Sequence, residues 1–213
     1  MGLSLPRRLA ETQRGTSRES MQRALESLTA SVNSHDTYTA GHSTRVAGIA
    51  GDLGTVMRLR PPKVRRLRQA GLVHDIGKIA IPEKVLTKKG VLSDEERHLV
   101  QLHPIFGASI LSRVPGMDEL VPIVLHHHER WDGGGYPSGL GGTEIPLGSR
   151  IVFVADAFDA MTTERPYGNV FSVEEAVEEI ARCAEEQFDP EVVKAIQQAL
   201  ALDLLRPPQA VGF

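Results

Sequence analysis

The sequence predicts an all-α fold interrupted by one long glycine-rich loop. Apolar residues recur at intervals of three and four through most of its 213 residues, and capping pairs open two of the resulting segments. No segment alternates apolar and polar residues as a half-buried strand would, and there is no internal repeat. Residues 1–16, with Pro6, Gly15 and Arg7, Arg8 and Arg14, lack periodicity and read as an arm or linker stub before a single domain over 17–213. Met21, Ala24, Leu25, Leu28 and Val32 make 17–34 an amphipathic helix. A second helix starts near Thr39 with Val46, Ile49, Leu53 and Met57 on one face. A third runs from Pro62 to about Val73 on Val64, Leu67 and Gly71, with proline in its first turn. Ser93 and Glu96 have capping-box spacing, and the helix they open is expected to break at Pro104 and resume through Leu111. Met117 to His128 reads as one helix with Pro122 in its first turn. Residues 131–150 hold seven glycines and two prolines, the composition of a long ordered loop, and Ile151 to Met161 follows as a buried helix. Ser172 with Glu175, and Asp189 with Pro190, open the last two helices, Phe188 and Val193 being placed as a hydrophobic staple.

The charge balance narrows the function. Lys plus Arg is 24 against 27 for Asp plus Glu, a net charge of −3, which excludes a protein that binds polymeric nucleic acid through a basic surface. The 41% hydrophobic and 24% charged content is that of a globular domain. No apolar stretch approaches the ~18 residues of a membrane span, and the first residues lack the apolar core of a signal peptide. A lone cysteine, Cys183, excludes an intrachain disulfide and fits a reducing, cytoplasmic setting. Lys63, Arg65, Arg66 and Arg68 on the third helix, and Glu174, Glu175, Glu178 and Glu179 near the end, read as solvated faces; the basic one is close enough in sequence to help draw in an anion.

Eight histidines carry the chemistry. His42 continues the inward stripe of the second helix, and His74, seven residues after Leu67, lies on the buried face of the third with Asp75 beside it. His103 precedes a proline at a helix break. His126, His127 and His128 are consecutive, so at most two of them face one site. Asp156 sits within the apolar run IVFVADAF, where an unpaired carboxylate is costly. Each alone is explained by a hydrogen-bonded core. Together, several inward histidines and two carboxylates call for cations, and mixed nitrogen and oxygen ligands favour first-row transition metals. His35 and His98 stand in polar surroundings and read as surface residues. Lys78 is four residues after His74, on the same helical face, and Arg165 follows Asp156 by nine. Metals with a lysine and an arginine point to phosphate, and a metal pair activates water for displacement at phosphorus.

HDIGKIAIP around His74-Asp75, HHERWDGGGYPSGL at 127–140 and ADAFDAMTTERPY at 155–167 closely resemble the HD-GYP phosphodiesterases, a branch of the HD superfamily, over roughly residues 20 to 200. The resemblance implies a bacterial all-α helical bundle that hydrolyses cyclic di-GMP to pGpG or GMP with two or three divalent metals, Fe or Mn foremost. By position it implies His74, Asp75, His103, His127, His128 and Asp156 as ligands, Asp75 bridging two metals with a hydroxide between them. Asp75 and Lys78 would be catalytic, Lys78 and Arg165 would hold the phosphate, and Gly135, Tyr136 and Pro137 would form a wall of the site. His126 falls outside the ligand set, and Asp159 supports it as an acceptor behind the ligands.

Two positions depart from the family pattern. Tyr38 stands where three-metal members carry a glutamate, so the expected site is binuclear, with His42 either behind the ligands or a weak ligand of a third ion. Gly168 and Asn169 follow Arg165-Pro166-Tyr167 where a basic residue is common, which removes one phosphate contact; Asp36 is a further candidate contact to the ligand. Two alternatives stay open: an HD-type phosphohydrolase acting on another nucleotide or cyclic dinucleotide, and a degenerate module that binds without turnover. Partners implied are the cyclic dinucleotide, a sensor, receiver or diguanylate-cyclase protein, and a second copy paired through the 17–34 helix.

Overall fold

The computed structural model describes residues 41–163 and 170–205. The arm at 1–16, the 17–34 helix, His35, Asp36, Tyr38, Arg165 and Gly168 lie outside the described residues. Nine α-helices stand among those described: α1 (His42–Val56), α2 (Pro61–Val73), α3 (Glu83–Leu86), α4 (Asp94–Val100), α5 (His103–Leu111), α6 (Val121–Leu125), α7 (Leu147–Thr162), α8 (Val173–Arg182) and α9 (Pro190–Ala201). Short 3₁₀ turns at Ile76–Ala80 and Gly142–Glu144 complete the set, and no strand occurs among the described residues. None of these helices is long and apolar enough to cross a membrane.

The apolar stripes read from the sequence meet in one core. Val46, Leu53, Val73, Ile151, Val154, Phe158, Ile180 and Ile196 are almost completely buried within it. The pairing of α1 with α2 depends on a missing side chain: a Cβ on Gly71 would lie 2.7 Å from the Ala47 Cα. The helices therefore approach at backbone distance there. α7 packs on α1 and α2, and α8 and α9 close the bundle against α7 and α1. Both capping boxes form, Ser93 accepting from the Glu96 N–H and Ser172 from the Glu175 N–H. Asp189 caps α9, and Phe188 and Val193 are both buried there.

Three boundaries differ from the sequence expectation. The break predicted at Pro104 falls before His103, and Pro104 sits in the first turn of α5, where its missing N–H leaves no gap in the helix. The helix expected over Met117–His128 contracts to Val121–Leu125, because His126 leaves helical geometry (φ −113°) and the His127 ring takes the Val124 carbonyl at 2.6 Å. A side chain thus replaces the next backbone donor. α7 begins four residues before Ile151, since Gly148 and Ser149, which read as loop, lie against α6. Gly148 leaves room for Ile123, and the Ser149 hydroxyl donates to the Pro122 and Ile123 carbonyls.

Candidate metal centre

Three histidines stand just past or next to the end of a helix, and each turns its ring back on the carbonyl three residues earlier. His74 follows α2 and its Nδ1–H donates to the Gly71 carbonyl at 2.9 Å. His103, beyond α4, donates to Val100 at 2.8 Å, and His127, beyond α6, to Val124 at 2.6 Å. Helix ends have orphan carbonyls and the negative end of the dipole, so an imidazole N–H is a natural cap. The cap also fixes the tautomer: with Nδ1 carrying the proton, each Nε2 presents a lone pair to the interior.

Those lone pairs converge. His103 Nε2 and His127 Nε2 are 3.3 Å apart, and His74 Nε2 is buried with no hydrogen-bond partner. Two acceptors face to face and a third without a donor are an unfavourable arrangement unless a cation lies among them. The ligand atoms of His103, His127 and His128 all lie within 4.8 Å of one another, as do those of His42, His74 and Asp75. Asp75 faces both groups. Its Oδ1 is 3.3 Å from His103 Nε2 and its Oδ2 3.4 Å from His74 Nε2. Asp156 Oδ1 is 3.3 Å from His42 Nε2 and 3.9 Å from His74 Nε2, so it joins the second group. The donor set fits divalent cations, one group being all nitrogen and the other mixed nitrogen and oxygen.

The electrostatics match. Burial pushes His103 below the usual histidine range, His127 well below it and His128 down to about 3, and neighbouring imidazoles add to the effect in each. Burial would raise the Asp75 carboxyl, but Lys78 and then His74, His103 and His127 hold it well below the ordinary value. Asp156 is lowered likewise, its burial outweighed by the His42 hydrogen bond and by the neighbouring His74 and His128 rings. Neutral imidazoles and ionised carboxylates are the forms that bind metal.

His42 lies within one of the candidate ligand groups. Its Nε2 faces Asp156 while Nδ1 bonds Asp159 Oδ2 at 2.7 Å, and Asp159 is held in turn by Arg45 Nε at 2.5 Å and a second Arg45 nitrogen at 3.0 Å. Burial lowers His42, but hydrogen bonds to Asp156 and Asp159 outweigh it and raise it to about 9. Asp159 thus lies behind His42, as its one-turn spacing from Asp156 suggests. Arg45 is absent from the sequence reading, although its position three residues after His42 puts both on one helical face.

Lys78 reaches the site by another route than expected. Residues 76–80 form a 3₁₀ turn, and Lys78 Nζ bonds Asp75 Oδ2 at 2.6 Å. Tyr136 lies flat on His128, ring centroids 4.9 Å apart at 27°, and its N–H donates to the His128 carbonyl at 3.2 Å. Gly135 sits where a Cβ would meet Arg130 N at 2.3 Å, so the loop carrying Gly135, Tyr136 and Pro137 is pressed onto residues 128–130. His126 turns away towards Glu129, and His98 is exposed. The basic cluster lies elsewhere: Arg68 pairs with Asp52 and Arg66 with Glu119, and Lys63, in the first turn of α2, is about 16 Å along the helix from His74. It does not reach the centre.

A family model described as HD domain matches residues 23–192. The chain is 43% identical over 162 residues to the cyclic di-GMP phosphodiesterase of Thermotoga maritima, covering 75% of this chain and 44% of the relative. It is 36% identical over 201 residues to the cyclic di-GMP phosphodiesterase response regulator RpfG of Xanthomonas campestris pv. campestris, covering 93% and 53%. The fold is similar to the crystal structure of a Vibrio cholerae cyclic GMP-AMP-specific phosphodiesterase, with a TM-score of 0.66, 24% identity and coverage of 84% of this chain and 48% of that one. The chain spans about half the length of these relatives.

Proposed function

The chain belongs to the HD-domain family, and from that premise we propose that it hydrolyses a phosphodiester bond of a cyclic dinucleotide, cyclic di-GMP first. The observation that carries this is the pair of converging ligand groups facing the two oxygens of Asp75, with acceptor nitrogens 3.3 Å apart and no donor between them. The names of the relatives support the substrate class. His103, His127 and His128 would hold one ion, and His42, His74, Asp75 and Asp156 the other, Fe or Mn suiting the mixed donors. When bound, such ions supply the positive charge that activates water and steadies the phosphoryl transition state.

The remaining residues orient the substrate. Asp75 keeps Lys78 at the rim, where an ammonium pairs with a non-bridging phosphate oxygen. Arg165 is the second proposed phosphate contact and Asp36 a further contact to the nucleotide. Tyr136 and its neighbours Gly135 and Pro137 form the wall beside His128. His42 is proposed as a full ligand that releases its Nε2 proton when a cation binds, since Asp159 and Arg45 orient that nitrogen towards Asp156. A sensory input is supported by the response-regulator name of one relative.

The test is incubation of protein loaded anaerobically with Fe or Mn with cyclic di-GMP and, separately, cyclic GMP-AMP, products being separated by chromatography. pGpG, with or without GMP, is the expected product, and Asp75→Asn should abolish it. Binding without turnover in the loaded protein would replace the hydrolase with a binding module.

A further inference from the structure

We propose that Glu129 is the positioning residue that fixes the glycine-rich loop, and with it Tyr136, against the metal centre. Its side chain is buried, yet it faces no ligand group. Instead Oε1 accepts the Ser138 N–H at 2.7 Å and Oε2 the Leu140 N–H at 3.1 Å, while His126 Nδ1 lies 3.4 Å from Oε1. With both oxygens on backbone donors, the carboxyl group serves the loop.

The loop needs such a group. Residues 131–141 form neither helix nor strand, so their backbone donors have no ladder to join, and the Glu129 carboxylate, itself buried, is costly without donors of its own. Gly133 and Gly139 turn the chain with positive φ (79° and 67°), which brings residues 138–140 back over Glu129. Tyr136 then lies between two anchors, its own N–H on the His128 carbonyl and the Glu129 carboxyl two and four residues on. Because Glu129 directly follows His127 and His128, one short segment carries two candidate ligands and the clamp for the wall opposite them. The loop is thereby a preformed wall, not a lid that must close. The kinetic consequence rests on the hydrolase reading; the structural one does not.

Glu129→Gln, metal-loaded, is the test. The amide keeps the size and one acceptor oxygen but turns an NH₂ group towards a backbone N–H. Amide exchange across 134–141 should quicken by about 10- to 100-fold, the cost of one lost hydrogen bond to a buried carboxylate. Metal content and exchange in the helices should match wild type. KM for cyclic di-GMP should rise by roughly tenfold with a smaller change in kcat, since loosening the wall weakens binding more than chemistry. Glu129→Asp, one methylene shorter but still a double acceptor, should recover part of both effects. Unchanged loop exchange in Glu129→Gln would overturn the proposal, as would equal losses in both variants confined to global stability. If the variants do not accumulate, the wild-type protein decides, because Ser138 and Leu140 amides exchanging at free-peptide rates would equally refute the clamp. A wild-type protein that hydrolyses nothing would defeat the hydrolase reading and leave the exchange result standing.

Discussion

At the residue scale, the histidine positions were readable because burial of an imidazole is visible in spacing, whereas its orientation is not. His74 continues a buried stripe on paper; only the fold shows that its Nδ1 caps Gly71 and leaves Nε2 facing Asp75. Glu129 and Arg45 escaped the sequence reading for a related reason: a Glu after His-His and an Arg on a helix both look solvent-bound until a loop or a carboxylate folds over them. The Asp159 contact gives a residue-scale prediction. Asp159→Asn weakens the orientation and basicity of His42, so metal affinity at that position should fall by about 10- to 100-fold while the other position holds. Titration with Mn(II) followed by EPR checks this. Equal weakening of both positions would instead indicate a general loosening of the bundle.

At the element scale, caps and breakers located most helix starts, since Ser93-Glu96, Ser172-Glu175 and Asp189-Pro190 act within one turn of the chain. The Ile76–Ala80 turn was illegible: its residues suit a helix, and packing on α5 decides otherwise. Gly77 makes that packing possible, for a Cβ there would lie 1.9 Å from the His103 carbonyl oxygen and 2.5 Å from Gly107 N. Gly77→Ala should therefore destabilise by about 1–3 kcal/mol, and should weaken metal binding too, because Asp75 and Lys78 flank one side of the contact and His103 the other. Urea unfolding with metal analysis reads both. Ser172→Ala is the contrast: losing that cap should cost about 1 kcal/mol and leave metal content unchanged.

At the scale of the whole molecule, the candidate centre draws its proposed ligands from α1, the end of α2, the start of α5, the turn after α6 and the middle of α7. Ions that bind only this assembled arrangement stabilise the fold by mass action. Mn(II) at a hundred times its dissociation constant should add about 2.7 kcal/mol, seen as a raised thermal midpoint that a chelator reverses; an unchanged midpoint would mean that the groups do not hold metal. The sequence by itself determined the all-α class, the glycine-rich loop and the residue types of the centre, because periodicity, caps and composition act locally. Tertiary structure alone decided which nitrogen of each ring faces inward, that Asp75 looks both ways and that Glu129 holds the loop. Those outcomes depend on which segments meet, and residues as far apart as His42 and Asp159 meet only after the bundle has formed.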